Sequence, residues 1–398
     1  MLKKVCFVLN GNLPVPALHG GAIEQLVEIL VNENEKKNLF QFTVIGPYFT
    51  DAEKAQERFK NTVFVNIKYS KKWNQYFGTC RAILKKIIKK DYTLLSTYNF
   101  QVHQYLLQYG GVFDYIVNEH ADDGLFSLSS RKWGREKFVN HLHMETFADK
   151  VTLDSFHKYL CVSKYVDEVY NKTNVNKTPI KSTVLYNSVE LNKFNKAISA
   201  NEIKLIREEL GFTETDFIII FCGRLKEFKG VKQLLQAVIT LEGKVKLLII
   251  GQSETSDKVS AYESEIRNLA SQYDNLIRFS GYVANNEIWK YYQLSNIGVI
   301  PSICEESFNM VLLEMMATGL PTIATISGGM AEVGTNATTL YIEKGEKLVD
   351  NIKDSIMELY NNPDRLKQMS ESGRERAMLF DSTQYLENFS NSLKLLEN

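Results

Sequence analysis

"IGVIPSICEESFNMVLLEMMATGLPTIAT", residues 297–325, holds two short apolar runs, 297–301 and 321–325, on either side of a longer one. The short runs have the length and composition of strands buried on both faces. The segment between them, read as a helix over 308–318, has almost no polar face, so it is packed on most sides. Strand, helix and strand in this order make a parallel pair in an α/β layer. Two carboxylates, Glu306 and Glu314, lie eight positions apart in this stretch. Along one continuous helix they are roughly 12 Å apart. Burying an ionised carboxylate costs several kcal/mol unless donors meet it, which makes Glu314 a residue with something to bind.

The same alternation extends in both directions. Apolar runs at 4–10, 42–46, 63–67, 115–120, 138–143 and 159–163 form one set of expected strands, and runs at 217–223, 245–251, 277–281, 297–301 and 321–325 form a second. Helical stretches separate them, notably 231–241, 259–272 and 285–294 in the second set. Strands alternating with helices indicate doubly wound parallel sheets. The polar, Asn-rich "YNSVELNKFNKAISANEI" falls between the sets and suits a linker near 187–200. The expected organisation is an N-terminal Rossmann-like domain over 1–189 and a C-terminal one over 190–379. A last helix, 380–398, crosses back onto the first, and a ligand cleft lies between the strand ends of the two.

A chain of 398 residues suits two domains. Its 44% hydrophobic and 24% charged residues are ordinary for a globular protein, and the formal net charge of zero gives no bulk electrostatic case for nucleic acid. Five scattered cysteines, none in a C-x-x-C pair, read as buried reduced thiols of a cytosolic protein. "MLKKVCFVLNGNLP" reads as a first strand rather than a signal peptide, and no run approaches the ~18 apolar residues of a spanning helix, so a soluble or peripheral protein is expected.

Three loops after expected strands point to an anionic ligand. In "GNLPVPALHGGAIEQLVEIL" (11–30), Gly20 and Gly21 open a helix, where backbone N–H groups can approach an anion; a plain turn is the alternative. In "FCGRLKEFKGVKQLL" (221–235), Arg224 and Lys229 leave a buried strand just before a helix, where two cations can neutralise a diphosphate; solvated surface charge is the alternative. In the opening stretch, the N–H groups of Phe308, Asn309 and Met310 at a helix start are available to phosphate or sugar oxygens. Neither G-x-G-x-x-G nor G-x-x-x-x-G-K-[ST] occurs, which argues against a dinucleotide dehydrogenase and a P-loop NTPase.

Taken together, "FCGRLKEFKG", "FSGYVANNEIWKYYQLSNIGVIPS" (279–302), "EESFNMVLLEMMATGLPTIAT" and "SGGMAEV" (327–333) resemble the C-terminal half of retaining glycosyltransferase family 4 enzymes, of the GT-B fold. "GGAIEQLV", "CVSKYV" (161–166) and "YNSVELNKF" (186–194) extend the resemblance over most of the chain. It implies two facing Rossmann-like domains, with the N-terminal one binding the acceptor. It also implies transfer of a hexosyl-type sugar, with retention, from a UDP- or GDP-linked donor to a glycan or lipid-linked hydroxyl in bacterial surface polysaccharide or glycoconjugate synthesis. No metal or other cofactor is expected.

By the same resemblance Arg224 and Lys229 hold the donor diphosphate, Glu314 the ribose hydroxyls and Glu306 the transferred sugar. Gly20, Gly21, Tyr282, Val283, Phe308, Asn309, Met310 and Val311 complete the donor site. The family usually has Gly where this chain has Asn309; Asn tolerates positive φ, so loop shape is expected to be kept and a side chain added beside the donor sugar. In "FVNHLHMET" (138–146), the resemblance places His143 rather than His141 against the donor sugar as a catalytic residue, and His120 is a second candidate. The histidines have no metal-ligand spacing.

From 71 to 90, "KKWNQYFGTCRAILKKIIKK" carries seven cations and no acid among aromatic and aliphatic residues. That composition suits an amphipathic segment on the inner, anionic face of a cell membrane; a helix packed on its own domain is the alternative. Two other functions share the architecture: a non-catalytic sugar-nucleotide or glycan-binding subunit supporting a partner glycosyltransferase, and a sugar-nucleotide epimerase.

Overall fold

In the computed structural model, which describes residues 1–88, 93–174, 178–253 and 259–397, the chain divides into two units, 1–188 with the helix from Ser382 onward, and Val189–Asp381. The first unit holds a sheet of seven parallel strands: β1 (Lys3–Leu9), β2 (Phe40–Pro47), β3 (Thr62–Ile67), β4 (Tyr115–Glu119), β5 (Phe138–Leu142), β6 (Lys158–Cys161) and β7 (Lys181–Val184). Their order is β3-β2-β1-β4-β5-β6-β7. The second unit holds six: β8 (Ile218–Cys222), β9 (Lys246–Ile250), β10 (Ile277–Gly281), β11 (Ile297–Ile300), β12 (Thr322–Thr325) and β13 (Thr339–Ile342), in the order β10-β9-β8-β11-β12-β13. Both sheets are doubly wound, as the alternation predicts.

β7 and β13 were not expected from the sequence. Each is a short edge strand with half-exposed residues, so neither makes a continuous apolar run. The central strands do, because helices cover both their faces. In the first unit, Val5, Phe7 and Leu9 of β1 pack with Leu26, Val27 and Leu30 of the helix Ala22–Lys37 and with Tyr385 and Phe389 of the helix Ser382–Leu395. In the second, Ile219, Ile249, Val299 and Ile323 pack with Leu234 and Val238 on one helix and Ile352 and Ile356 on another.

The strand order decides where ligands can go. Each sheet reverses direction between two neighbours, β1 and β4 in one and β8 and β11 in the other. Crossovers there leave to opposite faces, so the loops beyond the carboxyl ends splay apart and open a crevice. Gly20 and Gly21 follow β1, His120 follows β4, Arg224 and Lys229 follow β8, and Glu306 follows β11. All five cysteines are free, as expected, but only Cys6 and Cys161 are buried.

Candidate functional site

In the second unit, the loop after β8 and the loop after β11 meet through one ion pair. Lys229 Nζ lies 2.6 Å from Glu306 Oε1, and Ser302 Oγ donates to the same oxygen at 2.6 Å. The Glu306 backbone is fixed as well: its N–H donates to Ser327 Oγ at 3.0 Å and its C=O accepts from Gly329 N–H at 2.7 Å. Gly230 makes the approach possible. Its φ is 70°, and a Cβ there would fall 1.9 Å from the carbonyl oxygen of Pro301. Arg224 is exposed, and its guanidinium and the Lys229 ammonium both lie about 6 Å from the Phe228 ring.

The helix expected over 308–318 begins at Met310, so Glu306 stands in the preceding loop and only Glu314 rides the helix. The spacing estimate for a shared helix therefore does not apply. Asn309 also differs from expectation. Its φ is −106° rather than positive, and its side chain turns into the helix as N-cap, accepting from Leu312 N–H at 2.9 Å. Such a cap contributes about 1 kcal/mol. Met310 and Val311 supply the first two N–H groups of the helix. Phe308 is buried, with its ring edge-on to Phe380.

Glu314 is buried on a helix that is apolar all round, as predicted. Tyr292 Oη donates to its Oε2 at 2.9 Å. Burial pushes its carboxyl up, against the pull of Tyr292, Lys193 and Asn285. Lys193 is itself hydrogen-bonded to Asn285. Glu314 thus has a donor within the fold, which the sequence did not reveal. Tyr282 is exposed and Val283 half-buried just beyond β10.

The first unit carries a second group. β4 and β5 pair with Asn118 opposite Asn140, which places Glu119 and His141 one residue further on, on a common face. His141 Nδ1 lies 3.1 Å from Glu119 Oε2 and His143 Nε2 2.6 Å from the same oxygen. All three side chains are at least nine-tenths buried. Burial pushes the Glu119 carboxyl up, but the His141 and His143 imidazoles outweigh it and bring it down to about 2. Burial and His141 lower His143 to about 4 despite Glu119. Among the described residues this trio is the group whose ligand atoms could converge on a metal ion, all lying within 4.8 Å of one another. His141 and His143 also line a cavity of about 1580 Å³ walled by polar groups such as Asn10, Asn99, Arg81 and Asp122. His120, also on its wall, has φ 64°, a strained conformation for a residue with a Cβ.

Gly20 and Gly21 both have positive φ, 80° and 96°. A Cβ on Gly21 would fall 2.1 Å from Glu24 Oε2. Glu24 is buried in the first turn of its helix, and burial lifts its carboxyl to about 7. A folded-state value above the ordinary 4.5 means stability that is full below about pH 4.5 and lost as pH rises through 7. Glu24→Gln is therefore expected to match the parent at pH 4 and to exceed it by on the order of 1–3 kcal/mol at pH 8, read from denaturation midpoints. An equal difference at both pH values would contradict this.

Glu119, Glu24, Tyr292 and Ser302 escaped the sequence reading. Glu119 had one signal, an acid ending an otherwise apolar strand beside His120.

Comparison with known proteins adds the following. Residues 202–376 match the family model of glycosyl transferases group 1. The chain is 30% identical over 199 residues to a GDP-mannose-dependent monoacylated alpha-(1-6)-phosphatidylinositol monomannoside mannosyltransferase of Corynebacterium glutamicum, covering 48% of this chain and 50% of that protein. It is 25% identical over 392 residues to spore coat protein SA of Bacillus subtilis, covering 94% of each. Among solved structures, a glycosyltransferase from Rickettsia africae superposes with a TM-score of 0.75 at 17% identity, covering 100% of this chain and 99% of that one. HepE of Anabaena in complex with UDP-glucose superposes with a TM-score of 0.74 at 16% identity, covering 98% and 99%. The fold is GT-B, and the matched segment is of group 1 glycosyltransferase type.

Proposed function

We propose, from a GT-B chain whose residues 202–376 are of group 1 glycosyltransferase type, that the protein is a retaining, family 4-like glycosyltransferase. It moves a hexosyl sugar from a UDP- or GDP-linked donor to a hydroxyl of a glycan or lipid-linked acceptor, in surface polysaccharide or glycoconjugate synthesis. The observation that carries this reading is the Lys229–Glu306–Ser302 cluster beside exposed Arg224, set at the switch point of the second sheet next to the helix start at Met310.

In this reading the acceptor oxygen attacks the anomeric carbon while the bond from that carbon to the diphosphate oxygen breaks. The electron pair leaves with the diphosphate, which also takes the acceptor's proton on the same face. Arg224, Lys229 and the helix N-terminus stabilise the leaving charge, so the reading calls for no metal. Glu306 orients the sugar and is not a nucleophile, unlike the carboxylates of retaining hydrolases. A thermal-shift panel of UDP, GDP, ADP, CDP and dTDP sugars tests it. Stabilisation by one nucleotide class is expected. No shift with any of them would favour the non-catalytic subunit, and donor turnover without acceptor the epimerase.

The same reading places the enzyme on the inner face of a membrane. No helix of the described residues is long and apolar enough to cross one. The helix Lys71–Ile88 instead leaves Trp73, Tyr76, Ile83 and Ile87 exposed at helical spacing, beside Lys72 and Lys86; Lys89 and Lys90 lie outside the described residues. Flotation with phosphatidylglycerol vesicles is expected to carry the parent, and Trp73→Ala/Ile87→Ala several-fold less. A parent that stays behind would refute the placement.

A further inference from the structure

With both rings neutral, the two imidazoles and one carboxylate at the carboxyl ends of β4 and β5 have a single hydrogen-bonding solution. A carboxylate has no proton to give, so each ring nitrogen facing Glu119 is an N–H donor: Nδ1 of His141 at 3.1 Å and Nε2 of His143 at 2.6 Å. The rings therefore take opposite tautomers. The second nitrogen of each, Nε2 of His141 and Nδ1 of His143, is left with a lone pair.

The surroundings agree with this assignment and weigh against a metal. His141 Nε2 is buried and meets no partner in the fold. As a bare lone pair it is tolerable, whereas an N–H there would be an orphaned buried donor. A cation bound through His141 Nδ1 would force that N–H, and metal-binding histidines almost always donate the other N–H to an acceptor. The ring centroids of His141 and His143 are only 4.0 Å apart, so two imidazolium charges would repel strongly. The other titratable groups acting on the cluster are Glu24 and Tyr385 on the two helices packed over β1, and His120 beside it. None supplies a second carboxylate contact to either ring among the described residues.

We propose that Glu119 is a positioning residue that fixes His143 as its Nε2–H tautomer, so that His143 offers an unprotonated Nδ1 to a hydroxyl in the adjoining cavity. The ligand class is a polyol hydroxyl that donates. A phosphate oxygen, which needs donors, is excluded from this contact. That the hydroxyl belongs to a sugar rests on the proposed function, but the tautomer assignment does not.

The experiment is long-range ¹H–¹⁵N correlation of the ¹⁵N-histidine-labelled full chain at pH 7, with His141→Gln and His143→Gln used for assignment. The expected spectrum shows a protonated Nε2 and bare Nδ1 for His143, and the reverse for His141. In Glu119→Leu, which offers neither ring an acceptor, His143 is no longer held as its Nε2–H form and the Nδ1–H form becomes populated. Turnover falls about 100-fold through misplacement of the ring, with donor KM changed less than threefold.

A His143 protonated on Nδ1, or both rings charged, overturns the proposal. So does loss of the N–H signals on stoichiometric Zn²⁺, which would make the cluster a metal site. Expected tautomers combined with full activity of His143→Gln would leave the tautomer lock standing and remove only the sugar contact.

Discussion

Lys229→Ala lowers turnover by about 10²–10³-fold while the chain remains folded. Lys229 is a half-buried cation whose ammonium sits 2.6 Å from Glu306 at the mouth of the β8 and β11 loops. Without donor it neutralises Glu306. With donor, its charge is available to the departing diphosphate, and losing one preorganised stabilising group of this kind typically costs 10²–10³ in rate. Folding survives because Ser302 still donates to Glu306 and the Glu306 backbone stays held by Ser327 and Gly329. The stability loss is expected at about 1–3 kcal/mol. Lys229→Arg keeps the charge and should recover part of the rate. Near-parental turnover in Lys229→Ala, measured with the donor chosen by the thermal-shift panel, would remove Lys229 from the mechanism.

Glu314→Ala removes most of the donor-induced rise in melting temperature. A ligand at 100 times its Kd stabilises by about 2.7 kcal/mol, which for a unit of this size is a shift of roughly 5–10 °C. If the carboxylate holds the ribose hydroxyls, the alanine variant loses most of that shift. Truncation also strands the Tyr292 hydroxyl, so the variant alone does not separate binding from packing. Glu314→Gln does. Its amide oxygen still accepts from Tyr292 and its volume is unchanged, so its unliganded melting temperature stays close to the parent's while the donor-induced shift falls. A full shift in both variants would leave Glu314 as a structural acceptor for Tyr292.

The two predictions differ in how much of their basis the sequence carried. Arg224, Lys229 and Glu306 follow from strand-loop-helix patterns, because a buried strand ending in charged residues before a helix is a local signal, and Glu314 from a carboxylate set in an apolar helix. The partner of each does not. Lys229 and Glu306 are 77 residues apart, Glu314 and Tyr292 22, and Glu119 and His143 24. Asn309 shows the same limit within one loop: its type suggests a positive φ, and only the folded backbone reveals φ −106° and a helix cap.

By itself, then, the sequence determined two doubly wound parallel sheets, their central strands and the loops that carry the charged residues. Periodicity and β-branched runs report how each residue is buried, and central strands covered on both faces are the most emphatic such signal. Tertiary structure alone decided the edge strands β7 and β13, which are too exposed to stand out, and the Lys229–Glu306, Glu314–Tyr292 and Glu119–His141–His143 groupings. The physical reason is that side-chain partners depend on which strands become neighbours. Setting β1 beside β4 and β8 beside β11 is a property of the whole sheet, settled by packing its helices on both faces rather than by any local run of residues.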